Sequence, residues 1–332
     1  MYYLIGITLV LTFLFVINLT SAFAVSLAWR FVSRIADTWP PRRTSAVLFT
    51  LRIFPIATAL LYSFGLALPA YILYEPHVTE ETIGFKQWIL VAACGLGLAF
   101  AAFRIFGSWW QTRKLLNGWL EHAEEIEVDG LDLPAYKVQH PFPVFAIVGV
   151  RKPKLFIAEQ VLDLLDAFEI SAVIKHELGH LAAFDNLKRI MMHLCGDLLL
   201  VPVGRNLDTV WTEASEIAAD EFAVNKGGRR SALNLASALI KIARNLPSPQ
   251  RDRLPVGSYA VQHDGELLSN RIQRLLALAE SRENGGLDRV TRPLRVFSVL
   301  AASLLILLPL ALDTYLLSHV HEISEGLLKS LR

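Results

Sequence analysis

Residues 166–180 read DAFEISAVIKHELGH. Asp166 followed by Glu169 predicts a capped helix start, because each side chain can accept a hydrogen bond from a backbone N–H group of the first turn. Apolar residues at helical spacing come next, namely Ile170, Val173 and Ile174. We therefore expect one helix through the whole stretch, with its apolar face packed against a core.

The end of this helix carries a pattern typical of a zinc site. His176 and His180 are four residues apart, so both imidazoles lie on one helix face and can reach a single Zn²⁺ ion at about 2.0–2.1 Å. Glu177 lies beside them, where a carboxylate can take a proton from a metal-bound water. The alternative interpretation is three polar residues on a solvated helix face.

A catalytic zinc site takes a third protein ligand, which must come from another element. Residues 213–221 read EASEIAADE and have the composition of a helix. Glu216 and Asp220 share one face of it. We expect Glu216 to be the third ligand and Asp220 to orient a ligand histidine by accepting its other N–H. Spacing alone leaves the choice of carboxylate open, with Glu213 and Glu221 expected on the solvated face.

Long apolar runs flank this region. A helix needs about 20 apolar residues to cross the hydrocarbon core, and four runs approach or exceed this length with few charges. They predict transmembrane helices at about 2–29, 53–74, 87–107 and 293–317. The first run could instead be a signal peptide, but it lacks a positively charged start and is too long for that.

Charges between the runs predict the orientation, because Lys and Arg are retained on the cytoplasmic side. Five arginines lie between the first two runs, whereas the next loop holds three glutamates and only one lysine, Lys86. We therefore expect both termini outside, residues 108–292 as one cytoplasmic domain, and 318–332 as a short outer tail. Within the domain, the third run is expected to continue as a helix to about 125. Short strands are predicted at 127–128, 136–138, 144–150 and 155–158.

The composition limits the possible functions. Of 332 residues, 53% are hydrophobic and 19% are charged, against about 25% charged in soluble domains. Lys plus Arg (32) nearly balances Asp plus Glu (31), so we expect no nucleic-acid partner. The two cysteines, Cys94 and Cys195, lie in apolar surroundings and form neither a CxxC zinc site nor a disulfide framework.

Taken together, these residues resemble the membrane zinc peptidases of the bacterial β-lactam sensor-transducers, the BlaR/MecR type. The resemblance lies in KHELGH at 175–180, in DNL at 185–187, in Glu216-x-x-Ala219-Asp220, and upstream in the residues around 141–142 and 152–157. It implies an α-helical integral membrane protein of the bacterial inner (plasma) membrane, with four transmembrane helices and an α+β gluzincin-type zinc protease domain. The implied roles are zinc ligation by His176, His180 and Glu216, general base for Glu177, and orientation of a ligand for Asp220.

The resemblance also implies a zinc-dependent endopeptidase with one Zn²⁺ per chain. It would cleave a protein at the cytoplasmic face in regulatory or signalling proteolysis, with a repressor or the enzyme itself as substrate. The antibiotic-sensing members carry a large penicillin-binding domain after the fourth helix, whereas here a short tail follows. We therefore expect no β-lactam binding of that kind, and a separate sensor or regulator. The alternative from another class is a catalytically silent membrane scaffold or signal-relay protein.

Two further expectations concern the substrate. An extended peptide could pair with the edge of the strand at 144–150, which would place Phe145 and Ile147 in contact with it. His263 and the NRIQRL sequence at 270–275 resemble the tail of the more distantly related HtpX and CAAX-prenyl membrane proteases. His263 or Arg271 could then stabilise the tetrahedral oxyanion. The alternative is a surface histidine and a salt-bridged or helix-capping arginine.

Overall fold

The computed structural model describes residues 2–36, 38–76, 83–128, 131–150, 152–199, 203–245, 265–281 and 313–331. They are mostly helical, with one small mixed sheet. The described residues fall into two compact units. The first unit contains the residues up to 107, those of 190–211 and the C-terminal helix, and the second contains those of 108–189 and 212–290.

The first unit is built from long apolar helices. Its helices are α1 (Tyr2–Ala36), α2 (Pro41–Leu60), a π-helical segment (Leu61–Ala67), α3 (Leu68–Tyr74) and the first part of α4 (Phe85–Glu121). Three stretches of the described chain are long and apolar enough to span a membrane, namely Tyr2–Ala36, Pro41–Tyr74 and Phe85–Glu121. These correspond to the first three predicted spans. Helix α4 continues past the third span, as the sequence predicts, but it ends at Glu121 instead of about 125, because residues 124–126 form a strand.

The fourth predicted span, at about 293–317, lies largely outside the described residues, so four transmembrane helices are not confirmed. The described chain resumes at 313. From Thr314 to Leu331 it forms a helix, α10, in the region where the sequence suggested only a short tail. Leu317 and Val320 of α10 are three residues apart and pack together against Ala70 of α3, so this helix buries one apolar side.

A partly buried ion pair joins two parts of the first unit. Arg52 of α2 donates from Nε to Oδ1 of Asp208 at 2.8 Å, and its Nη1 donates to the backbone oxygen of Val203. Gly196 and Gly204 lie against the guanidinium, where a Cβ atom would crowd it. Their lack of a side chain therefore leaves room for the guanidinium of Arg52.

The second unit contains a four-stranded sheet in the order β1-β2-β4-β3. Its strands are β1 (Glu124–Ile126), β2 (Ala135–Val138), β3 (Phe145–Val148) and β4 (Lys154–Ala158). β2 and β4 are parallel, and the other two pairs are antiparallel. Among the described residues, β3 is therefore an edge strand. The first strand begins three residues before its predicted position at 127–128, since its register is set by pairing with β2.

Helices α5 (Glu159–Leu164), α6 (Ala167–Ala183) and α9 (Gly265–Ser281) belong to the second unit, and α7 (Asp185–Asp197) begins in it. Helix α8 (Arg205–Asn245) begins in the first unit, enters the second at Thr212 and is kinked at Gly228. One apolar core joins the sheet to α6, α8 and α9. The predicted cap of α6 is confirmed: Asp166 accepts from the backbone N–H of Glu169, and Glu169 accepts from that of Asp166, both at 2.9 Å. The cap fixes where α6 starts, and hence where its histidines lie.

Candidate metal centre

Helix α6 brings two histidines together at its buried end. His176 and His180 lie one turn apart, with ring centroids 4.8 Å apart and nearly perpendicular planes. Both side chains are about 6% exposed. This places both imidazoles on one side of the helix, as the spacing predicts, but inside the unit rather than on a solvated face.

Helix α8 adds a carboxylate opposite the two imidazoles. Glu216 Oε2 lies 3.6 Å from Nε2 of His176, and Glu216 Oε1 lies 3.5 Å from Nε2 of His180. Two ligand atoms bound at about 2.1 Å to one tetrahedral ion are about 3.4 Å apart. The spacing and the donor types, two imidazole nitrogens and one carboxylate, therefore fit a zinc ion, and these three residues form a group that could hold a metal.

Two further carboxylates orient the imidazoles. Nδ1 of His176 lies 2.8 Å from Oδ1 of Asp220, and Nδ1 of His180 lies 2.8 Å from Oδ2 of Asp185. A hydrogen bond at Nδ1 leaves Nε2 of each ring available for a metal. Asp220 thus lies beside a candidate ligand histidine, and its orienting role stays a prediction. The contact of Asp185 was missed, although DNL at 185–187 was part of the resemblance.

Arg271 of α9 lies against the carboxylates of α8. Its Nε and Nη2 each donate to Asp220 at 2.8 Å, and its Nη1 lies 2.9 Å from Oε2 of Glu216. This geometry favours the salt-bridged alternative for Arg271 over contact with an oxyanion, because the guanidinium already faces two carboxylates. The oxyanion role of Arg271 stays a prediction, and His263 lies outside the described residues.

Burial and charge together shift the protonation of these groups. Burial alone would lower the pKa of His176, but hydrogen bonds to Asp220 and Glu216 outweigh it and raise the pKa to about 9. Burial would raise the pKa values of both carboxyl groups, yet the guanidinium of Arg271 holds them below their usual range. Burial also raises the pKa of Glu177, against the opposing effect of the two histidines.

The charges of the site favour a cation. Among the described residues, four buried carboxylates meet here, those of Glu177, Asp185, Glu216 and Asp220. The guanidinium of Arg271 contacts Glu216 and Asp220, and the ammonium group of Lys188 lies 3.5 Å from Asp185. Buried carboxylates are stable only when their charge is balanced. A divalent cation at the histidines would add positive charge beside these carboxylates and take the place of the proton on His176.

The edge strand β3 lies beside the candidate general base. The backbone N–H of Ile147 donates to Oε2 of Glu177 at 3.3 Å, and Asn186 donates from Nδ2 to the backbone oxygen of Ile147 at 3.1 Å. The side chains of Phe145 and Ile147 are buried in the core, at 0% and 4% exposure. The expected contact of these residues with a peptide is thus limited to their backbone, and Asn186 is a neighbour that sequence reasoning missed.

The chain matches no curated protein. A family model, that of peptidase family M48, matches residues 111–207. The match spans the four strands and the HELGH sequence at 176–180, and it ends before Glu216. The match does not identify the BlaR/MecR subtype, so this subtype stays a prediction. Over residues 111–207 the chain is therefore similar to peptidase family M48, and this similarity supports a metallopeptidase.

Proposed function

We propose that this protein is an integral-membrane, zinc-dependent endopeptidase that hydrolyses peptide bonds of a protein substrate. The observation that carries the proposal is the convergence of His176, His180 and Glu216 from two helices, with Glu177 beside them. The similarity to peptidase family M48 points to the same chemistry. The three apolar helices support attachment to a membrane.

His176, His180 and Glu216 would hold one zinc ion. When bound, zinc polarises a substrate carbonyl and makes its bound water acidic enough to be a nucleophile near neutral pH. Glu177 would accept a proton from a water held at this site and could pass it on to the leaving amine. Because burial raises the pKa of Glu177, its carboxyl group is a better base than a solvated glutamate and can also return the proton.

In this proposal an extended substrate peptide pairs with the edge of β3. The carbonyl oxygen of Val144 accepts from the backbone N–H of Ala158 on β4. Since backbone groups alternate in direction along an antiparallel strand, those of Phe145 and Ile147 are directed towards the outer edge. Those of Ile147 already contact Glu177 and Asn186, so a peptide would pair at Phe145 or replace these two contacts. A peptide paired there would run past Glu177, which already contacts the backbone of Ile147.

The cellular setting is part of the proposal and rests on the sequence. Loop charges favour a cytoplasmic protease domain and outer termini, in a bacterial inner membrane. A membrane-associated protein, a repressor or the enzyme itself would then be the substrate, in regulatory proteolysis controlled by a separate sensor or regulator. This setting also requires the lipid bilayer as a partner.

The test uses the full-length protein purified in detergent. Zinc per chain is measured by elemental analysis, and cleavage of an unfolded test protein is followed in parallel. We expect one zinc at the HELGH site in the wild type, zinc without cleavage in Glu177→Gln, and a loss of that zinc in Glu216→Ala. Glu221→Gln, which removes a partly exposed carboxylate of the same helix, should match the wild type.

The outcomes separate enzyme from scaffold. Zinc binding without cleavage in the wild type, tested on several unfolded proteins and on the enzyme itself, would favour the silent scaffold. If zinc is neither retained nor taken up at the HELGH site, the metal centre and the proposed enzyme are both wrong.

A further inference from the structure

A second cluster of metal-binding side chains lies in the first unit. It consists of Glu75, His321 and Glu325, whose ligand atoms all lie within 4.8 Å of one another. Glu75 ends α3, whereas His321 and Glu325 lie one turn apart on α10. We propose that these three residues form a second divalent-cation site, separate from the one at His176 and independent of the proposed proteolysis.

The packing of α10 on α3 brings the two segments together. Leu317 of α10 is buried against Ala70, and the hydroxyl of Tyr74 donates to the backbone oxygen of Thr314 at 2.7 Å. The ring of Tyr74 also lies beside that of His321, with centroids 6.0 Å apart. These contacts place the imidazole next to the end of α3.

The distances within the cluster are those of ligands around a shared ion. Nε2 of His321 lies 3.8 Å from Oε2 of Glu75 and 3.5 Å from Oε1 of Glu325. Both exceed the usual N–H···O separation of about 2.9–3.0 Å, and both are close to the separation of about 3.4 Å expected around one tetrahedral ion. The His–Glu distances at His176 and His180 are 3.6 and 3.5 Å, so the two clusters have similar dimensions.

Burial distinguishes this cluster from an ordinary pair of charges on a helix surface. His321 and Glu325 alone, four residues apart, would be a common surface pair. Glu75 comes from a segment 246 residues away, and its side chain is only 5% exposed, while those of His321 and Glu325 are 16% and 33% exposed. The ion would thus enter from the α10 side and reach a buried carboxylate.

The donor set selects the kind of ion. One imidazole nitrogen and two carboxylate oxygens suit Zn²⁺ and related transition metals better than Ca²⁺ or Mg²⁺, which prefer oxygen alone. Bound there, the ion would cross-link α10 to the end of α3.

Zinc titration of the full-length protein in detergent tests the proposal. The wild type should bind two zinc ions per chain, and His176→Ala/His180→Ala should bind one, at the second cluster. In that double variant, adding Glu325→Gln should weaken the remaining binding by about 100-fold. Adding His321→Ala should do the same. The control is His319→Ala, an exposed histidine of the same helix that contacts the backbone oxygen of Tyr315, and it should leave binding unchanged.

Glu325→Gln keeps the shape of a half-buried side chain, so loss of folding does not complicate its result. A second measurement is thermal unfolding of His176→Ala/His180→Ala, which zinc should stabilise and which Glu325→Gln should make insensitive to zinc. If that double variant binds no zinc, or binds it equally well with and without Glu325→Gln, the cluster is only a set of ion pairs and the proposal is wrong. Neither result would alter the test of proteolysis, which depends on Glu177.

Discussion

A Cβ atom added to Gly179 of α6 would lie 3.1 Å from the Cα of Ala219 on α8. The two helices therefore touch through backbone at the point where one carries the histidines and the other carries Glu216. This close approach explains why a glycine fits inside the HELGH sequence despite its cost in a helix, about 1 kcal/mol relative to alanine. The distance from Glu216 to the imidazoles depends on it.

Replacing Gly179 by Val should push α6 and α8 apart. We expect zinc affinity to fall at least tenfold, with a loss of stability of about 1–3 kcal/mol from overpacking. Zinc competition with a chelator and chemical unfolding measure the two effects. Gly118→Val on α4 is the control, since a Cβ there meets nothing within 4 Å. Equal zinc affinity in Gly179→Val and the wild type would show that the helix contact does not set the ligand geometry.

The local parts of this site were predictable, and the long-range parts were not. The cap at Asp166 and the shared face of His176 and His180 depend only on residues within five positions, so sequence spacing is enough. The partner of Arg271 depends on how α9 packs on α8 across 51 residues of chain. No local pattern carries that information, and the resemblance suggested a different role.

The burial of β3 also depends on long-range packing. Alternation along a four-residue strand marks two faces but does not say which one is buried. Phe145, Ala146 and Ile147 are all buried, because the strand is covered on both faces. The edge position of β3 follows from the sheet order, which a list of short strands does not contain. The sequence could assign a peptide-binding role to this strand. It could not tell that the backbone, and not the side chains, would make the contact.

Removing the partner of one imidazole should weaken metal binding while preserving the fold. Asp185→Asn deletes the charge that accepts from Nδ1 of His180, and we expect zinc affinity to fall by about 10–100-fold. Zinc competition against a chelator gives the ratio. Asp163→Asn, on the neighbouring helix α5, is a charge-matched control and should behave as the wild type. An unchanged affinity in Asp185→Asn would mean that another group accepts the hydrogen bond from Nδ1 of His180.

Metal affinity should depend on pH in a defined direction. The metal-free protein holds a proton on His176, because Asp220 and Glu216 raise its pKa from 6.5 to about 9. Zinc must displace this proton, so affinity should rise as pH increases towards 9 and level off above it. In the metal-free protein, the stabilisation due to the protonated histidine is present in full below pH 6.5 and is lost as pH rises through 9. Zinc titrations at several pH values, with proton release recorded, measure the effect; affinity independent of pH across this range would contradict it.

Comparing variants of two arginines on α9 distinguishes a structural role of Arg271 from a catalytic one. Arg271 is buried against Glu216 and Asp220, so Arg271→Gln leaves two buried carboxylates without their partner and should cost about 3–5 kcal/mol of stability. Arg274, one turn further on, pairs with Glu221 and is 45% exposed. Arg274→Gln should change stability by at most about 1 kcal/mol.

Chemical unfolding without metal gives these differences, and added zinc should restore part of the loss in Arg271→Gln because the ion compensates the same carboxylates. If Arg271→Gln instead unfolds like the wild type and binds zinc normally but cleaves more slowly, Arg271 acts on the substrate. The oxyanion role suggested by the resemblance would then hold, and the ion pairs with Glu216 and Asp220 would be secondary.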